Sequence, residues 1–120
     1  MSTQSDYRAE FNAFMVEGDT FGRYRFKFRT GTNPDTYEDI SGCTFLADLI
    51  RDGSSVIESS TTNGRMDLED AETFWWEISA DDAAVLTQGN YTYDIKVTYP
   101  DNTVRTRFFG KLTVKEKRSE

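Results

Sequence analysis

The chain has 120 residues (13.8 kDa), 21 acidic and 14 basic side chains for a formal net charge of −7, and nine Phe, six Tyr and two Trp. A domain of that length buries roughly 65% of its unfolded surface, and so many rings to bury argue against disorder. The absence of His excludes Ser/His/Asp and Cys/His catalysis and any His metal ligand, while the acidic balance works against binding nucleic acid or an anionic membrane.

Residues 1–10 are polar and read as a flexible arm that ends in Tyr7-Arg8-Ala9-Glu10. They lack the basic and apolar regions of a signal peptide. With a single cysteine, Cys43, no internal disulfide and no Cys-based zinc site forms. A reducing cytoplasm is the expected place of synthesis. No run reaches the ~18–20 apolar residues of a membrane helix.

From residue 11 onward the period is mostly two, which predicts half-buried strands at 11–17, 22–29, 43–51, 55–60, 65–68, 73–79, 91–99 and 104–115. In Arg23-Tyr24-Arg25-Phe26-Lys27-Phe28-Arg29 rings alternate with cations. Gly18-Asp19-Thr20 and Gly31-Thr32-Asn33-Pro34 supply turns. Cys43 to Ile50 is apolar in both phases, so that strand is expected to be central or covered. Phe74, Trp76 and Ile78 share a phase, which sends Trp76 inward and Trp75 outward. Ser79-Ala80-Asp81-Asp82 approximates a capping box, and Gly89 stops the one or two helical turns that follow. Tyr91, Tyr93, Ile95, Val97 and Tyr99 line one face of the next strand. In the last strand Val104, Thr106, Phe108, Leu112 and Val114 are expected opposite Arg105, Arg107, Lys111 and Lys115. Gly110 there marks a bulge or a close backbone contact. Residues 116–120 form a charged tail beyond a domain spanning 11–115.

Seven or eight short strands with regular turns predict an all-β, antiparallel β-sandwich. Gly89-Asn90-Tyr91-Thr92-Tyr93, a Tyr-bearing strand start after a helical turn, has the form of a tyrosine corner and makes the expected sandwich immunoglobulin-like. A small closed barrel is the alternative.

The constellations that could carry chemistry mostly reduce to structure. Strand geometry sends the cations and rings of 23–29 to opposite faces, so they do not grip one strand of nucleic acid together. The expected role is an amphipathic strand whose cations, Arg23, Arg25 and Lys27, are solvated or dock on an acidic neighbour. Arg105, Arg107 and Lys111 form a second strip, beside the first or across the sandwich. Asp67 to Glu72 fails the calcium-loop pattern, because its fifth and sixth positions are Ala71 and Glu72. Asp81 and Asp82 suit helix capping rather than a pair of acids across a cleft. An outward Trp75 packs under a loop, meets a protein or stacks on a sugar. No catalytic, cofactor or metal residue is predicted. Tyr7, Arg8, Arg23, Arg25, Lys27, Trp75, Arg105 and Arg107 are the candidate protein-interface residues.

Short motifs then follow in a telling order: Val16-Glu17-Gly18-Asp19-Thr20-Phe21, Asp39-Ile40-Ser41-Gly42, Asn63-Gly64-Arg65-Met66-Asp67-Leu68, Leu86 leading to Gly89-Asn90-Tyr91-Thr92-Tyr93-Asp94, and Gly110-Lys111-Leu112-Thr113-Val114. The set resembles small virion proteins of tailed bacteriophages and is similar to the immunoglobulin-like N-terminal domains of baseplate upper proteins. It covers about residues 16–114. Two departures stand out: Ile40-Ser41 replaces the usual Leu-Thr, and Lys115-Glu116-Lys117-Arg118 replaces the usual acidic-Val-Thr-Arg ending. The resemblance implies a non-enzymatic structural protein of the virion, in the tail or baseplate or as a fibre adaptor, without cofactor. Its implied partners are other virion proteins and, as an option, further copies of itself, with no nucleic acid and no membrane. A capsid decoration or head fibre is one alternative, and a carbohydrate-binding module using Trp75 and the tyrosines is another.

Overall fold

The computed structural model describes residues 9–28 and 36–117. Tyr7, Arg8, the turn at 31–34, Arg29 and the last three residues of the charged tail lie outside the described residues. The strands are β1 (Ala9–Glu10), β2 (Ala13–Val16), β3 (Phe21–Phe26), β4 (Thr44–Arg51), β5 (Ser54–Ser60), β6 (Met66–Leu68), β7 (Phe74–Ile78), β8 (Gly89–Thr98) and β9 (Val104–Lys115). One helical turn, α1 (Ala80–Ala83), links β7 to β8.

Two separate sheets form, so the barrel alternative falls. The larger runs β1-β9-β8-β4-β5, with β2 also on β9; the smaller runs β3-β7-β6. In immunoglobulin lettering β3, β7 and β6 are strands B, E and D, while β9, β8, β4 and β5 are G, F, C and C′. The fold is therefore an immunoglobulin-like β-sandwich. Its first strand has moved wholly to the G edge: β1 and β2 pair with β9 in parallel, and every other pairing is antiparallel. Ala9 and Glu10, expected in the loose arm, belong to this sheet because their backbones pair with Phe108 and Phe109.

Between β1 and β2 the chain stays in register but leaves the ladder. Phe11 N–H donates to the Phe109 carbonyl (2.9 Å), and the Asn12 side chain accepts from Lys111 N–H (3.0 Å) in place of a backbone carbonyl. The Phe11 carbonyl lies over Gly110 and accepts from the Tyr93 hydroxyl. Burial raises the Tyr93 phenol above its usual range, so it stays a donor. A close backbone contact is thus the meaning of Gly110.

An aromatic ladder joins the sheets where a disulfide often does so in this architecture. Phe74 stacks on Phe45 (4.1 Å between centroids) and Phe26 (5.0 Å), and Trp76 meets Phe21 (4.6 Å) and Tyr93 (5.0 Å) edge-on. Trp76 is fully buried, in the phase expected. Each such ring contributes roughly 1.5–3 kcal/mol on burial.

The capping at α1 also follows the sequence, with Asp82 N–H donating to Ser79 Oγ (3.3 Å). Beyond it the Tyr91 hydroxyl donates to the Thr87 carbonyl (2.9 Å) and accepts from Arg51 Nη1 (3.1 Å). This is a tyrosine corner, with an arginine added to it. Glycine suits position 89 because its φ of +143° is one that side-chain-bearing residues rarely adopt, and a Cβ there would also push on the Arg51 guanidinium. Tyr91→Phe removes both bonds and leaves the ring in place. It is expected to cost about 1–2 kcal/mol, read as a lower urea midpoint at unchanged slope.

Candidate functional site

The two cationic strips differ from expectation in opposite ways. Arg23 and Arg25 on β3, and Lys27 just beyond its end, are exposed, but each has company. Arg23 pairs with Glu77 (3.2 Å) and lies 4.0 Å over the Trp75 ring; Arg25 pairs with Glu69 (2.6 Å); Lys27 sits 4.7 Å over Tyr37. Their charge is largely spent within the chain. Trp75 is half-buried with one face under a guanidinium, which leaves less ring for a sugar or a partner.

The second strip does not form. The β8–β9 register slips by one between Ile95–Phe108 and Lys96–Thr106, so Arg107 is the extra residue of a bulge. Arg107 is turned inward and buried. Arg105, paired with Val97, is half-buried on the same inner side. Strict alternation over 104–115 had placed both outside with Lys111. The bulge inverts the phase of everything before it, since a one-residue slip exchanges the faces of a strand.

Arg107 instead anchors a buried cluster beneath the β3–β4 connection. Its Nη2 lies 2.6 Å from Glu38 Oε2, a charge contact rather than an aligned hydrogen bond. Its Nη1 donates to the Tyr99 hydroxyl (2.5 Å), which donates on to Glu38 Oε1 (3.2 Å). The guanidinium also stacks 4.2 Å from the Phe28 ring. Burial pushes the Tyr99 phenol up to about 12, so it keeps the proton this relay uses. Nearby Cys43 is held up to about 11, by burial first and then by Glu38 and Asp39, and stays a thiol through the neutral range. This cluster is structural, because it is closed to water.

What is open is the outer face of the larger sheet. Among the described residues seven large apolar side chains are exposed, and all but Val85 project there: Phe14 and Val16 from β2, Leu46 and Ile50 from β4, Val104 and Phe109 from β9. Phe14 is 63% and Phe109 40% exposed. As expected, β4 is central and apolar in both phases, with Phe45, Ala47 and Leu49 in the core. Its outward Leu46 and Ile50 are not covered by another element of the described chain.

Leu46 and Ile50 flank Asp48, and with Asp94 and Lys96 they line a depression of about 100 Å³. Asp48 stands directly opposite Glu58 of β5. On the other side it faces β8 between the pairs Ala47–Ile95 and Ile50–Thr92, which is the level of Asp94. Asp94 in turn opposes Phe109, and Phe109 opposes Glu10. A row of three carboxylates thus crosses three neighbouring strands. The Ser55 hydroxyl donates to Asp48 (2.9 Å), but among the described residues no cation forms an ion pair with any of the three acids. No group of three or more acidic or thiol side chains among the described residues is arranged to hold a metal.

The residues that make this surface were not candidates from sequence. The available signal was the surplus of apolar side chains in the outward phase of β4. Strand addition at the adjacent edge is blunted, since the Glu58 carbonyl on β5 already accepts from Asn63 Nδ2 (2.9 Å) and Arg65 Nη1 (2.8 Å).

No family model and no curated protein matches the sequence. Among solved structures, the chain is similar to the PKD domain of human KIAA0319, with 18% identity, TM-score 0.41, and 100% of this chain and 94% of that one covered. It is also similar to the fibronectin(III)-like modules of Clostridium thermocellum CbhA, with 18% identity, TM-score 0.35 and 92% of each chain covered. The fold assignment rests on strand order and the tyrosine corner rather than on these distant likenesses.

Proposed function

We propose that the chain is a non-enzymatic assembly domain that docks on other proteins through the outer face of its six-stranded sheet. The observation that carries this is the gathering of six of the seven exposed large apolar side chains on one sheet face. They form two groups, Leu46 and Ile50 on β4 and the other four on β2 and β9, on either side of the polar outward row of β8, and exposed apolar side chains concentrated on one face mark a protein contact. Of the carboxylates on it, Glu58 and Asp94 are exposed and Asp48 is half-buried.

The setting we propose is a bacteriophage virion, in the tail or baseplate. That part rests on the ordered motifs from Gly18-Asp19-Thr20-Phe21 to Gly110-Lys111-Leu112-Thr113-Val114. Capsid decoration is the second reading within the same setting. A sugar-binding role is disfavoured by the Arg23 guanidinium over Trp75.

The test uses virus particles released from the source bacterium. The chain is expected to sediment with them and to be labelled at the tail by antibody in electron microscopy. Its absence from particles would overturn the virion setting, and label on the head would favour decoration. A L46S/I50S/F109S variant, whose changes are all on the surface, is expected to fold and to be lost from particles. Normal incorporation of that variant would overturn the docking face.

A further inference from the structure

The carboxylate row on the docking face carries a repulsive cost, offset within the chain by one neutral hydrogen bond, from Ser55 to Asp48. Like charges directly opposite one another in a sheet are destabilising, yet Asp48 opposes Glu58 and stands level with Asp94. Lys96 lines the same depression but forms no ion pair with either aspartate. The depression itself is lined by two acids and one base, with the Glu58 carboxylate opposite Asp48 beyond it. The walls on both sides are aliphatic, from Leu46 and Ile50. The space, about 100 Å³, takes the head of one side chain rather than a whole ligand.

We infer that this depression, on the docking face proposed above, receives an arginine side chain of a partner protein, held between Asp48 and Asp94 and flanked by apolar groups that cover Leu46, Ile50 and Phe109. Arginine suits the geometry better than lysine for three reasons. Its planar fork can donate to two carboxylates at once. Its weak hydration lowers the cost of lying against Leu46 and Ile50. It also remains charged at any pH the protein survives. An anchor residue in a pocket, ringed by contacts that exclude water, is how protein interfaces concentrate their affinity. The acids would then set which partner docks and the apolar side chains how firmly.

The probes are three peptides, acetyl-Leu-Arg-Leu-amide and its Lys and Gln counterparts, titrated into the 15N-labelled full chain and followed by NMR. The arginine peptide is expected to give saturable shifts at residues 46–50 and 92–96, weakened by added salt. The lysine peptide should bind more weakly and the glutamine peptide should leave those amides unmoved. In a D48N/D94N variant the arginine peptide should lose about tenfold or more in affinity, as for removing a charge-assisted hydrogen bond. That variant relieves repulsion on an exposed face, so its melting temperature should be unchanged or higher. Equal shifts from the glutamine peptide, shifts confined to other residues, or no shift at millimolar peptide would overturn the inference. Equal affinity for the lysine peptide would overturn the choice of guanidinium. The particle experiment separates the two levels. If L46S/I50S/F109S is excluded from particles while D48N/D94N is incorporated normally, the face docks but not through an arginine. If both are incorporated, the face itself is wrong.

Discussion

Arg107→Leu is expected to lower stability by about 3–5 kcal/mol, the cost of leaving one member of a buried ion pair without its partner. At a urea slope of about 1–3 kcal/mol per molar, the midpoint should move down by about 2 M. The reason is specific to this cluster. Glu38 is buried with its second oxygen satisfied only by the charge of Arg107, while Tyr99 passes a hydrogen bond between the two. Leucine fills part of the volume over Phe28 but leaves a carboxylate in the interior with one hydroxyl donor. Arg107→Lys should fail almost as badly, because an ammonium cannot reach Tyr99 and Glu38 as a fork while stacking on a ring. The companion measurement is the double variant E38L/R107L. Removing both charges should recover most of the loss, since paired buried ions are replaceable by apolar groups at little net cost. A loss below about 1 kcal/mol in Arg107→Leu, or a double variant as unstable as the single, would refute this account of the cluster.

Gly110→Ala is the second severe change. A Cβ on Gly110 would overlap the Phe11 carbonyl oxygen and lie 2.7 Å from its carbon and 3.1 Å from Tyr93 Oη. The oxygen belongs to the backbone and is already held by the Tyr93 hydroxyl, so no rotamer change relieves the overlap. Either β9 shifts within the sheet or the segment between β1 and β2 lifts off. Overpacking of this kind costs about 1–3 kcal/mol where side chains can yield. With only backbone to move, the expected cost is at the upper end, together with loss of hydrogen-exchange protection at residues 9–16. Gly64→Ala is the control for the backbone term alone. Its φ is positive, which that of Gly110 is not, and nothing lies within 4 Å of the added carbon, so it reports backbone strain without overlap. If Gly110→Ala were no worse than Gly64→Ala, and residues 9–16 stayed protected, the close contact would carry no structural weight.

Much of the sandwich was legible in sequence because its strands are amphipathic. From Tyr91 through β8 to Tyr99 just past its end the alternation is uninterrupted, and every inward ring and aliphatic group is buried. The tyrosine corner was legible for a different reason: a capped helical turn, a glycine and a tyrosine occur together, and each makes a local contact. What failed was the start of β9. The bulge at Arg107 is selected by Glu38, more than sixty residues away, and nothing in the local pattern of alternating Arg and apolar residues marks it. The candidate site was hidden for a related reason. Two apolar phases in β4 say that both sides prefer to be dry, but only the assembled sandwich decides which side the domain itself covers. The cations of β3 were conspicuous in sequence because their partners, Glu69 and Glu77, are distant in it.

The parallel seating of β1 and β2 on β9 has a mechanical consequence. The first and last strands of the sandwich run side by side in the same direction, Ala9 beside Phe108 and Val16 beside Lys115. Tension drawing the beginning of β1 and the end of β9 apart therefore pulls along the strands, in shear. The ladder between them must yield as a set rather than open one rung at a time. The Tyr93 and Asn12 side chains that pin the crossover add to that resistance. Strain entering along the line of these two strands would be carried across one edge of the larger sheet, leaving the smaller sheet outside the path of the load.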